Sequence, residues 1–157
     1  MARFYQGKYR LQNPDKYAGA KAPIFRSGWE AKFFNFLDMN KNVSKWISEP
    51  SQMNIAYTLP DGTAHRYIPD VYCEMKLKDG SIKKFLIEIK PSSQSPFHVP
   101  PPAKPKRQTS KSMRNWRAAV KAYMTNKFKW MAAQAWCTKR GIKFIVFTEK
   151  ESNGAFK

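Results

Sequence analysis

Apolar and polar positions alternate with different periods along the chain, and the changes of period mark its elements. Residues 1 to about 25, rich in Tyr, Lys, Asn, Gly and Pro, keep no sustained period and read as an extended arm. From Trp29 to Leu37 the spacing is helical, with Ser27 placed as N-cap and Glu30 three residues on, the pattern of a capping box. Phe33, Phe34 and Leu37 stand at i+3, i+4 and i+7 from Glu30, so this carboxylate shares the apolar stripe. Two explanations of Glu30 stand side by side: a local cap, or a member of an active site.

A β-rich stretch follows. Val43 to Ile47 and Met53 to Thr58 are short β-type runs, and Pro60-Asp61-Gly62 signals a turn. Tyr67 to Leu77 alternates, Asp79-Gly80 marks a hairpin, and Phe85 to Ile89 is apolar, so the three arms predict an antiparallel meander. Residues 91 to 105 hold six of the eleven prolines and read as a mobile loop. A long helix is predicted from Met113 to Lys139, ended by Gly141. Its inner stripe is expected at Trp116, Val120, Tyr123, Met131, Gln134 and Ala135, with Lys121, Lys129 and Lys139 outside. Trp130 fits a core position better than an exposed one, and Lys127 is undecided. The continuous apolar run Ile142 to Phe147, after a crossover helix, should join the sheet in parallel. The order is α-β-β-β-α-β, an α/β fold with a mixed sheet flanked by helices.

Two short charged motifs fall at the inner ends of the hairpin arms: Pro69-Asp70 and Glu88-Ile89-Lys90. Strand parity decides whether they can meet. Ile68, Asp70, Tyr72 and Glu74 share one face, as do Leu86, Glu88 and Lys90. A two-residue turn would oppose Asp70 to Ile89 and separate the carboxylates. An odd loop is required, and the expected one is Asp79-Gly80-Ser81 with Gly80 left-handed, which sets Asp70 opposite Lys90 and Tyr72 opposite Glu88. Carboxylates so joined can hold a hard divalent cation through oxygen, and the lysine can orient a water.

Composition narrows the partner. The chain has 157 residues, enough for one ordinary domain, with 42% hydrophobic and 15% aromatic residues. Against 11 Asp and Glu stand 29 Lys and Arg, a net charge of +18, which attracts a polyanion and makes nucleic acid the leading partner. No run of about 18 apolar residues is present, and the opening MARFYQGKYR lacks a secretory apolar segment. Cys73 and Cys137 are far apart and read as reduced core thiols, not a zinc site. His65 and His98 are isolated, so histidine chemistry is not signalled. The densest basic run, Lys104, Lys106, Arg107, Lys111, Arg114 and Arg117, leads from the loop into the long helix and suits phosphate contacts without base reading.

Glu30, Pro69-Asp70 and Glu88-Ile89-Lys90, in this element order, resemble the PD-(D/E)xK nuclease superfamily and its restriction-endonuclease-like core. Tyr5 to Tyr9, Arg26 to Glu30, Leu86 to Pro91, and Lys139-Arg140-Gly141 through Phe147-Thr148-Glu149-Lys150 are similar to the head-completion nucleases of T-even-like tailed phages. That family is in turn similar to the TnsA transposition endonuclease, which shares the Ser-x-x-Glu opening of its catalytic helix. The proline-rich stretch of residues 96 to 105 departs from the likeness.

The resemblance implies an arm over 1–25, a nuclease domain over 26–150 with a proline-rich basic loop at about 91–112, and a tail over 151–157. It also implies a Mg²⁺- or Mn²⁺-dependent deoxyribonuclease, with endonuclease and exonuclease action both left open, cutting packaged double-stranded DNA during head completion and head-tail joining. Its place would be the virion, assembled in the host cytoplasm beside other head-neck proteins, with no membrane and no small-molecule cofactor. Asp70, Glu88 and the Ile89 carbonyl would hold the metal, Lys90 would position the water, and Glu30 would complete the acidic site. Charge and aromatics fit two other readings: a nonenzymatic DNA-binding virion protein, or a Holliday-junction endonuclease of the same fold. Two neighbouring carboxylates in so basic a chain favour the enzyme, because they would repel DNA phosphate.

Overall fold

The computed structural model describes residues 5–148 and 150, so the expected tail at 151–157 and the first four residues of the arm lie outside the described residues. In the arm, β1 (Gly7–Lys8) pairs with β2 (Ile24–Phe25). Helix α1 (Gly28–Met39) follows, with Ser27 as its cap and Phe33, Phe34 and Leu37 buried as predicted. The central sheet orders β3 (Val43–Ser48), β6 (Val71–Lys76), β7 (Ile82–Ile89) and β8 (Ile142–Phe147). Its first three strands are antiparallel, and β8 runs parallel to β7. Between β7 and β8 the chain crosses through α2 (Ser110–Thr138), which is capped by a reciprocal Thr109–Ser112 box.

The predicted meander needs one correction. The run Tyr67 to Leu77 is two strands, not one: Pro69 has no N–H to give a ladder, and the chain breaks there. The first piece, β5 (Ala64–Tyr67), pairs only with β4 (Ile55–Thr58), as a separate ribbon. The sheet neighbour of β6 on that side is therefore β3.

Residue parity assigns the two faces of the sheet. Val71, Cys73, Phe85, Ile87 and Ile89 meet α1 in one core, while Tyr72, Leu86 and Val146 meet Trp130, Ala133 and Cys137 of α2 in the other. The inner stripe of α2 therefore has a different phase from the one expected. Met131 is half exposed and Gln134 and Ala135 face outward, since Trp130 is the large side chain that fills the space under the sheet. Both cysteines are buried and unpaired, and burial pushes their thiols up to about 12 and about 11. No helix among the described residues is long and apolar enough to cross a membrane.

The proline-rich loop is laid along α2. The Trp116 indole N–H donates to the Pro102 carbonyl at 3.0 Å, the Tyr123 hydroxyl to that of Val99 at 3.2 Å, and the Phe97 ring meets Trp130 edge-on. These bonds satisfy backbone acceptors that prolines leave without a ladder partner.

Candidate active site

The hairpin turn brings the two motifs together. Leu77 pairs with Ser81, and Gly80 at φ +85° takes the left-handed position, so the loop is Lys78-Asp79-Gly80. It is odd, as the shared-face argument requires, but lies one residue earlier than expected. Hence Tyr72 opposes Leu86 rather than Glu88, and Val71 opposes Ile87. The same register sets Asp70 across from Glu88 rather than Lys90. The two carboxylates are direct neighbours.

Asp70 is fixed from both sides. Its carbonyl accepts from the Glu49 N–H at 2.8 Å, and its Oδ2 accepts from the Ile89 N–H at 2.8 Å. Burial and the neighbouring Glu88 push its carboxyl up to about 7; Glu30 adds to the rise, and the Ile89 N–H and Lys90 oppose it. Glu88 is only 3% exposed. The Tyr67 hydroxyl donates to its Oε2 at 2.6 Å, and the Lys90 and Lys129 ammonium groups both lie 3.9 Å from its Oε1. A solvated face, the ordinary fate of Glu-x-Lys on a strand, is thereby excluded. Lys90 itself is anchored by its N–H, which donates to Phe147 of β8 at 3.0 Å.

Glu30 sits at the start of α1 beside the cap, without closing the capping box expected of it. Its N–H donates to Ser27 Oγ at 3.1 Å, and its carboxylate reaches back to the Arg26 N–H at 2.6 Å, one residue before the cap. From there it still acts on Asp70 electrostatically. The Arg26 guanidinium pairs with Glu49, a residue held at φ +49° beside Asp70. A non-glycine residue in the left-handed region marks strain at the edge of the site.

Two members were missed in the sequence. Lys129 was expected outside, yet it lies over the Tyr67 ring at 4.6 Å and beside Glu88. Its signal was hidden by the phase of α2, one position from Trp130. Tyr67 arrives from the β4–β5 ribbon just before Pro69, and burial with Glu88 beside it holds its hydroxyl protonated. The basic run Lys104, Lys106, Arg107, Lys111, Arg114 and Arg117 is exposed throughout and is not gathered at the carboxylates.

The donors suit a hard cation in part. Asp70 Oδ1 takes no hydrogen bond among the described residues, and the buried carboxylates destabilise each other unless positive charge separates them. No group of three or more His, Cys, Asp or Glu side chains among the described residues stands close enough to hold an ion, so Glu30 is outside any direct ligand set.

A family model described as the TnsA-like endonuclease N terminal matches residues 40–149, which include Asp70, Glu88 and Lys90 but not α1. The head completion nuclease of Enterobacteria phage T4 is 36% identical over 146 residues, covering 92% of this chain and 91% of that protein. The chain belongs to the TnsA-like endonuclease family and is a relative of the T4 head completion nuclease.

Proposed function

We propose that the protein is a divalent-metal-dependent deoxyribonuclease that hydrolyses phosphodiester bonds of double-stranded DNA during phage head completion and head-tail joining. The observation that carries this reading is Glu88, a buried carboxylate set across from Asp70 with two lysines within 3.9 Å. A protein that merely bound DNA would gain nothing from such a pair, which repels phosphate.

Asp70, Glu88 and the Ile89 carbonyl would hold Mg²⁺ or Mn²⁺, all being hard oxygen donors. An ion held by these oxygens would supply Lewis acidity to water and positive charge against the phosphate. The other tasks fall to the chain itself. Lys90, one-third exposed and tied to β8, positions the attacking water. The Tyr67 hydroxyl orients Glu88, and Lys129 from the opposite wall holds its other oxygen. Glu30 tunes Asp70 from the start of α1. The basic run engages backbone phosphates without reading bases.

The test is plasmid degradation with Mg²⁺ or Mn²⁺, comparing wild type with Asp70→Ala and Lys90→Ala. Wild type should convert the plasmid to nicked, linear and shorter products, and each variant should lose about a hundredfold or more in rate. If all three proteins are equally inert, the protein is a DNA-binding virion component. If wild type cuts four-way junctions far better than linear duplex, the recombination reading takes its place.

A further inference from the structure

We infer that α2 is a spacer: its first turns and the loop pinned to it grip the DNA backbone about 5–8 base pairs away from the phosphate held at the carboxylates. The inference rests on the nuclease reading of the site. Lys129 marks the catalytic end of the helix, beside Glu88. Lys111, Arg114 and Arg117 precede it by 18, 15 and 12 residues on the same uninterrupted helix. At a rise of 1.5 Å per residue they stand about 27, 22 and 18 Å from the Lys129 level. Eighteen residues are five full turns, so Lys111 leaves the helix in the same direction as Lys129, with Arg114 about 60° and Arg117 about 120° round. Asn115, Ala118 and Ala122, all exposed, occupy the line between, and none is long enough to hold a backbone off.

The loop cannot carry its cations to the site either. Trp116 and Tyr123 tie it to the helix, Lys104 lies over the Trp116 ring at 6.0 Å, and the Arg107 carbonyl accepts from the Ser112 hydroxyl at 2.7 Å. Six cations are thus held together at the end of α2 far from Glu88. From Ile89 to Thr148 the sequence contains 13 Lys and Arg and no Asp or Glu. Asp61, at the tip of the β4–β5 ribbon, acts on Lys121 and not on this cluster. Cations at that spacing, with no ion pair among the described residues, match a polyanion continuing past the site. Along a duplex, at about 3.4 Å per base pair, 18–27 Å is about 5–8 base pairs.

The experiment maps cuts on an end-labelled linear duplex of random sequence, using the full chain and the triple variant Lys111→Ala, Arg114→Ala, Arg117→Ala. Wild type should cut poorly within about 5–8 base pairs of one end of the labelled strand, where the distant grip has nothing to hold. The triple variant should cut about tenfold more slowly in the interior and show no such margin. Even cutting by wild type up to both ends, or an unchanged margin in the variant, overturns the inference. If wild type cuts nothing, the nuclease reading fails, and hydroxyl-radical protection of the uncut duplex decides the spacer. Two protected patches about 5–8 base pairs apart, the distal one lost in the variant, uphold it, and a single patch refutes it.

Discussion

At the scale of single residues, the site is a balance between charges that burial would otherwise expel. Asp70 shows the balance most directly, since burial and Glu88 raise its carboxyl from an unfolded value of 3.8 to about 7. A raised carboxyl favours the fold while protonated: the contribution is full below about pH 4 and lost as pH climbs through about 7. Asp70→Asn cannot ionise, so without divalent ions it should melt above wild type at pH 8 and close to it at pH 4. Thermal denaturation at the two pH values measures this, and a variant that melts lower at pH 8 contradicts it. Lys129 is the counterpart on the cationic side. Lys129→Met should lower the cleavage rate about tenfold while leaving the salt dependence of DNA affinity unchanged, because its ammonium serves Glu88 and is only 19% exposed. Lys129→Arg, which keeps the charge, should recover part of that rate. A shallower salt dependence in Lys129→Met would instead make Lys129 a phosphate contact.

At the scale of elements, local chemistry was legible wherever one neighbour decides the outcome. Ser27 and Glu30 declared the start of α1, Gly80 declared the turn, and parity required the odd loop that places Asp70 with Glu88. Where the outcome depends on which face meets the sheet, the sequence was ambiguous. Trp130 and Met131 are both large and apolar, and only the space beneath Tyr72 and Leu86 chooses Trp130 for the core, carrying Lys129 inward with it. Pro69 likewise sits inside a run whose alternation continues on both sides of it, so the pattern alone does not show that β5 and β6 pair in different sheets. The arm, which carried no periodic signal at all, is tied to α1 in part by a buried carboxylate, beside the Lys16 ammonium that bonds the Leu37, Asp38 and Asn40 carbonyls. Asp38, 0% exposed, accepts from the Gln12 N–H at 2.7 Å, the Asn13 N–H at 3.0 Å and the Tyr9 hydroxyl at 3.0 Å. Asp38→Ala removes every one of these acceptors and leaves donors without partners, at a cost of about 1–3 kcal/mol each where water cannot replace it. The expected result is faster amide exchange and proteolysis across residues 9–17, with the β6–β7 ladder still protected. Equal loosening of the sheet would show that the arm and the core unfold as one unit.

At the scale of the whole molecule, charge is divided between two jobs that respond differently to salt. The lysines beside Glu88 are engaged with a buried carboxylate, where mobile ions screen little. The six cations of the loop and early α2 are exposed, so under the proposed function their contribution to affinity would come from counterions released by the duplex. If all six meet phosphates, a plot of log affinity against log salt should fall with a slope of about −5, at roughly −0.9 per phosphate neutralised. Replacing Lys111, Arg114 and Arg117 by alanine should make that slope shallower by about 3, measured by fluorescence anisotropy on a 30-base-pair duplex. The rate of cleavage at saturating DNA should change little across the same salt range, because the carboxylate site carries its own compensating charges. A slope that the triple replacement does not alter would assign the nucleic-acid contact to other cations of this +18 chain, with the lysines of the β6–β7 hairpin as the next to replace.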